Sequence, residues 1–259
     1  MDAFVTAGGI PGPEDPLYPA TRGKPKAMLD IAGRPMVQWV LDALSGAARI
    51  ERVVVVGLGP EAGIHCEKPV AYLPDQGHML DNIQAGVNEI LRLNPAARLV
   101  MAVTCDIPAV TSAMIDWTAE TCLQTDHDLY YLVVERSLME SRFPGSNRSY
   151  VRLKDAEVCG GDMNVIRAGL VADRGLWERM VASRKNALKQ ASFLGWDVLI
   201  LLLLGRLSLE RAERMVSRRI GLRGRVIRSP YAEVAMDIDK PHQLEILRKD
   251  LAARVRSPA

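Results

Sequence analysis

The strongest constraint on this chain is the alternation of short apolar runs with helical stripes through its first 134 residues. Residues 2–6 (DAFVT) form a short apolar strand, 52–57 (RVVVVG) a β-branched one, and 70–73 and 99–104 two more. Runs of this length and branching read as buried strands. Between them, Pro35 suits the first position of a helix reaching about residue 47. Residues 78–93 place apolar side chains at 79, 80, 83, 87, 90 and 91, one face of a helix. Thr111 is positioned to cap a helix over about 112–124, and 128–134 reads as a further strand. Strands separated by helices build a mostly parallel, doubly wound α/β sheet of Rossmann-like type, covered on both faces.

After residue 140 the pattern changes. Residues 141–161 read as irregular loop with short strands, and 164–168 as a strand. The block at about 173–219 is almost wholly helical, with Ser208 a cap. Residues 226–228 and 233–236 return to extended structure, and Pro241 opens a closing helix over 240–253. The expectation is one domain, 1–259, with a small antiparallel part and a helical insertion at about 173–219.

Bulk charge excludes some partners. With 33 Lys+Arg against 31 Asp+Glu, the net charge of +2 supports neither nucleic-acid nor anionic-membrane binding. Four cysteines, at 66, 105, 122 and 159, lack CxxC spacing and read as reduced thiols of a cytoplasmic protein. The amino terminus lacks the charged and apolar regions of a signal peptide. The longest apolar run, 198–204, has seven residues, whereas a bilayer span needs about 20. It reads as a helix buried in the protomer or in a homodimer. Histidines 65, 78, 127 and 242 lack metal-ligand spacing, and His78 suits a helix start.

Three constellations carry chemistry. Ala7-Gly8-Gly9 follows the first strand directly, where backbone amides can approach an anion; Lys24 and Lys26 follow a Pro/Gly-rich loop. Neither GxxxxGK[ST] nor GxGxxG is present, and Gly-Gly alone equally suits a plain turn. Asp106 stands at the carboxyl end of a strand, where open α/β sheets bind ligands, and a carboxylate is a hard ligand for Mg²⁺. Asp237 and Asp239, two apart in an extended run, point to one side. Each aspartate has a plainer reading as a turn or helix cap.

The stretch VTAGGIPGPEDPLYPATRGKPKAMLDIAGRPMVQWVLDAL resembles the nucleotidyltransferases related to molybdenum-cofactor guanylyltransferase, sugar-1-phosphate nucleotidyltransferases and methylerythritol-phosphate cytidylyltransferase. Their pattern is a strand, a Gly-rich loop and a lysine seven residues before Gly-x-Pro; Lys26 stands seven before Gly33-Arg34-Pro35. The resemblance extends over roughly 2–47, 72–110 and 233–246 and implies a nucleotide-diphospho-sugar transferase type of fold, similar to GT-A. It implies that Lys26, Asp106 and Asp239 are catalytic, with Mg²⁺ on Asp106 and Asp239. It assigns the triphosphate and nucleoside to Ala7, Gly8, Gly9, Arg22, Lys26, Asp75, Gln76, Gly77 and Asn82. The acceptor side would hold Arg148, Tyr150, Arg152, Gly161, Asn164 and Asp237, with Arg184 and Lys185 in reach of phosphates. Two departures stand out: the early loop arginine has no clear match, Arg22 being the substitute, and Lys240 replaces a threonine before Pro241.

The implied reaction moves an NMP from an NTP to a phosphorylated acceptor, a sugar phosphate or cofactor precursor, with release of pyrophosphate. Two rivals are a nucleotide-sugar glycosyltransferase and an inactive nucleotide-binding module docking through 198–204. Against the first, Thr104 breaks the Asp-x-Asp pattern. Intact Lys26, Asp106 and Asp239 count against the second.

Overall fold

The computed structural model describes residues 1–173, 175 and 195–256. Its centre is a nine-stranded sheet. In chain order the sheet strands are β1 (Asp2–Thr6), β4 (Val53–Val56), β5 (Val70–Leu73), β6 (Leu99–Thr104), β7 (Leu129–Glu135), β8 (Val151–Arg152), β9 (Glu157–Gly160), β10 (Met163–Arg167) and β11 (Gly224–Arg228). A separate two-stranded hairpin pairs β2 (Asp30–Ile31) with β3 (Arg34–Pro35). The spatial order is β5-β4-β1-β6-β10-β7-β9-β8, with β11 beside β7. β5, β4, β1 and β6 are parallel neighbours, whereas β10 is antiparallel to β6 and β7, and β9 to β7 and β8. β11 runs parallel to β7, so β9 and β10 alone oppose the common direction. The expected mostly parallel sheet with an antiparallel part is what forms.

Alternation along the strands divides the core. Ala3, Val5, Val53, Val55, Met101 and Val103 face one cluster, and Phe4, Val54, Val56 and Val100 the other. The period of two puts successive side chains on opposite faces, so a sheet buried on both sides needs continuous apolar runs. Helices α2 (Met36–Gly46) and α4 (Ser112–Leu123) cover the first face, and α3 (Met79–Leu93) the second. The remaining α-helices among the described residues are α1 (Tyr18–Thr21), α5 (Arg136–Arg142), α6 (Trp196–Leu203), α7 (Leu209–Ile220) and α8 (Pro241–Arg256).

Several expectations are corrected. Residues 233–236 are not a strand: Ala232–Ala235 form a buried 3-10 turn, because the segment leaves the sheet to pass beneath the site. Asp237 and Asp239 therefore lack a strand's alternation and meet different partners. Helix α5 begins past the expected strand, in residues 136–140 that had no assignment, and ends in residues read as loop. Thr111 takes the cap position of α4 without a side-chain cap bond, whereas Ser208 accepts from the Arg211 amide. The apolar run 198–204 is not buried in the protomer. Val198 is covered, but Ile200, Leu203 and Leu204 are 53%, 77% and 61% exposed. Its neighbour α7 offers no buried side chain to pack against them. The helix expected over 174 and 176–194, with Arg184 and Lys185, lies outside the described residues. All four cysteines are free and buried, and among the described residues no helix is long and apolar enough to cross a membrane.

Candidate active site

Parallel strands bring their carboxyl ends to one edge, and four of them deliver the site: Ala7-Gly8-Gly9 after β1, Gly57 after β4, Asp75 after β5 and Asp106 after β6. The loops pack too closely for side chains. A Cβ on Gly57, whose φ is +107°, would fall 2.2 Å from Gly8, and one on Gly8 would fall 2.4 Å from the Asp75 carboxylate. Only glycine meets both the positive φ and the contact. The Gly8, Gly9 and Ile10 amides meet no acceptor among the described residues. They border a cleft of about 530 Å³ with Lys26, Asp75, Gly77, His78, Met79, Asn82, Thr104 and Asp106. A cavity of similar size, 540 Å³, lies at the opposite, amino-terminal edge around Met1, Asn94 and Arg98, without a glycine loop.

Lys26 sits at the centre. Its amide donates to the Gly9 carbonyl at 2.8 Å, which fixes the backbone. Its Nζ donates to Asp106 Oδ2 at 2.7 Å and to Asp239 Oδ1 at 2.8 Å, linking residues 80 and 213 positions away. The lysine side chain is only 17% exposed. Burial by itself would lower the ammonium pKa, but the Asp106 and Asp239 carboxylates outweigh it and raise it.

The carboxylates are themselves fixed. Thr104 Oγ1 donates to Asp106 Oδ1 at 2.5 Å, and the Ile238 amide donates to the Asp106 carbonyl at 3.1 Å. Gln243, at the start of α8, accepts the amides of Asp239 and Lys240 on Oε1, each at 2.9 Å. Its Nε2 donates to the Ser146 carbonyl at 3.2 Å. One buried amide thus ties the Asp239 loop to the segment that carries Arg148. Gln243 and Gly57 were not singled out by sequence, and Thr104 entered only as the residue that breaks the Asp-x-Asp pattern. A polar residue two positions into a Pro-opened helix was the available signal for Gln243.

Of the expected nucleotide residues, Gly8, Gly9, Lys26, Asp75, Gly77 and Asn82 line the cleft. Asn82 joins its neighbours: Nδ2 donates to Asp75 at 2.7 Å and Oδ1 accepts the Gln76 amide at 2.7 Å. The Gln76 side chain turns to the Pro74 carbonyl. Ala7 is buried beneath the loop, its amide on Val56. Arg22 is exposed at the end of α1 with φ +51° and does not line the cleft.

The acceptor group divides. Arg148 contacts Asp237 and stands 3.7 Å from Asp162, which lies in the expected acceptor-side stretch 160–164 but was given no role of its own by sequence. Asp162 is pinned by its amide on Val234 and its carbonyl under Thr104. Burial, reinforced by the Asp106 and Asp239 charges and opposed by Arg148, pushes its carboxyl up to about 7. The Asn164 side chain is spent on the Leu132 amide and the Gly161 carbonyl, inside the sheet. Gly161 lets β7 and the 3-10 turn approach, a Cβ there lying 3.3 Å from Leu132 and Val234. Tyr150 donates to Glu140, and Arg152 is exposed on the short strand β8; the structure does not bring them to the cleft.

Asp106 and Asp239 converge on one cation, so a hard dication would find two aligned oxygen donors, which fits Mg²⁺ or Mn²⁺. Among the described residues no third His, Cys, Asp or Glu completes a protein cage. Further ligands would come from phosphate and water. The Cys105 thiol beside Asp106 is raised well above its ordinary value by burial, so it stays protonated and is no nucleophile.

Comparison with known proteins gives one consistent answer. Residues 20–186 match the MobA-like NTP transferase domain. A hypothetical transferase from Thermus thermophilus is 34% identical over 94% of this chain and 98% of its own, with a TM-score of 0.81. A CMP:2-keto-3-deoxy-manno-octonic acid synthetase complexed with CTP is 15% identical, covers 98% of this chain and 100% of its own, and has a TM-score of 0.60. The 2-C-methyl-D-erythritol 4-phosphate cytidylyltransferase of Thermus thermophilus is 17% identical over 97% and 98%, with a TM-score of 0.52. These last two show the fold. No curated protein matches the chain.

Proposed function

The chain belongs to the MobA-like NTP transferase domain family and is a nucleotidyltransferase, and from that premise we propose that it moves an NMP from an NTP to a phosphorylated small-molecule acceptor, using Mg²⁺ and releasing pyrophosphate. The observation that carries this reading is the convergence of Lys26, Asp106 and Asp239 beside the Gly8-Gly9 loop. The amides of Gly8, Gly9 and Ile10 donate to the triphosphate, and Lys26 adds a positive charge at the same place. Asp106 and Asp239 would hold the metal, which when bound would neutralise phosphate charge at the triphosphate.

The protein supplies position and charge, not a covalent intermediate. Thr104 holds the Asp106 carboxylate, and Gln243 holds the backbone that carries Asp239. Ile10 and Met79, exposed apolar residues on the cleft, offer faces for a base, and the Asp75–Gln76–Gly77 turn meets its polar edge. Arg148, held by Asp237, faces the acceptor.

A thermal-shift panel of GTP, CTP, UTP, ATP and dTTP, with and without Mg²⁺, tests the reading. One triphosphate at 100 times its dissociation constant adds about 2.7 kcal/mol, and Asp106→Asn removes the Mg²⁺-dependent part. A shift with none of the five contradicts it.

A further inference from the structure

Lys26 does more in the free protein than wait for a phosphate. Its ammonium lies between Asp106 Oδ2 and Asp239 Oδ1, at 2.7 and 2.8 Å, and is largely buried there. All three partners are held from behind: Lys26 through its amide on Gly9, Asp106 through Thr104 and Ile238, and Asp239 through Gln243. The bridge is therefore built by three separate parts of the chain, not by a long side chain settling at random.

An ion held by these same two oxygens would occupy the place of the ammonium. Nothing else among the described groups accepts a hydrogen bond from Nζ, so a cation arriving alone would leave a desolvated ammonium without partners. A triphosphate changes that balance. Its oxygens accept from the displaced lysine, and they complete the coordination of a dication that the protein supplies with only two carboxylates.

Resting on the function proposed above, we infer that in the nucleotide-free protein Lys26 fills the divalent-cation position between Asp106 and Asp239, and that a metal–triphosphate complex, not the free ion, displaces it. The lysine then passes from the two carboxylates to the phosphates as the metal enters. Metal binding and nucleotide binding are thus one event, and the empty enzyme rejects free divalent ions.

The test uses Mn²⁺ and inorganic tripolyphosphate, which carries no base, followed by water-proton relaxation enhancement on the full chain. Wild-type protein alone should give little enhancement at millimolar Mn²⁺ and a clear rise once tripolyphosphate is added. Lys26→Met and Lys26→Gln should each bind one Mn²⁺ without tripolyphosphate at least tenfold more tightly than wild type. Adding Asp106→Asn to either variant should remove that gain. Wild-type binding of free Mn²⁺ within threefold of both lysine variants overturns the inference and leaves the metal site standing. Absence of enhancement in every variant, with tripolyphosphate present, overturns the metal site and the inference together. Should neither lysine variant fold by circular dichroism, the wild-type comparison with and without tripolyphosphate decides: equal enhancement in both sinks the idea.

Discussion

Lys26 and Lys24 sit two residues apart and have opposite surroundings. Lys24 is exposed, whereas Lys26 is enclosed and doubly paired. Lys26→Met is expected to lower nucleotidyl transfer by about 10²–10³-fold, the usual result of losing one charge-stabilising donor. Lys24→Met should change nucleotide affinity by no more than about twofold, as expected for a solvated surface charge. Equal losses in titrations of the two variants would contradict the site. Asp162 gives a pH test. Between the ordinary carboxylate value near 4 and about 7 the unfolded chain has lost this proton while the folded chain keeps it, so stability falls as pH rises through that window. Asp162→Asn has no proton to lose. In metal-free urea unfolding it should gain on wild type from pH 5 to about pH 7 and level off by pH 8; a variant that instead falls behind by pH 8 shows that the Arg148 pairing outweighs desolvation. The spacing of Lys26 before Gly33 made that lysine legible in sequence. Asp162 was hidden because its character comes from burial beside Asp106, Asp239 and Arg148, residues remote in the chain.

At the scale of elements, the site depends on how closely four strand-end loops pack. Gly57→Ala forces a Cβ into Gly8 and an L side chain to φ +107°. It should cost about 1–3 kcal/mol and weaken triphosphate binding through the displaced Gly8-Gly9 loop. Wild-type stability and affinity in that variant would mean the two loops are not in contact. Gln243→Met keeps the volume but orphans the Asp239 and Lys240 amides, costing about 1–3 kcal/mol. It should also raise the KM for the Mg²⁺–nucleotide complex while leaving binding of the metal-free triphosphate nearly unchanged. A drop in kcat alone contradicts that positioning role. Strands β1, β4 and β6 were readable because both faces are covered and their centres are continuously apolar, and β5, half-buried at the sheet edge, because its run is short and apolar. The 3-10 turn Ala232–Ala235 was not, since its alternating residues mimic a strand and only tertiary contact with Asp162 and Asp106 decides its path.

Across the whole molecule, the parallel half of the sheet carries the Gly8-Gly9 loop, Asp75 and Asp106 and the antiparallel half carries Arg148 and Asp162, with α8 joining them through Gln243. That division follows from strand direction and was visible in outline from the βα alternation. The surface of α6 was not, because a seven-residue apolar run reads as core wherever composition alone is consulted. In the proposed reaction, bond cleavage falls at the α-phosphorus under control of Asp106, Asp239 and Lys26. It is tested most directly with γ-³²P-labelled triphosphate, Mg²⁺ and a small-molecule extract as the source of acceptor. Label appearing in pyrophosphate, dependent on Mg²⁺ and lost in Asp106→Asn, is the predicted result. Label appearing in orthophosphate or in the acceptor, or in pyrophosphate at an undiminished rate in Asp106→Asn, would rule out α-phosphorus transfer at this site.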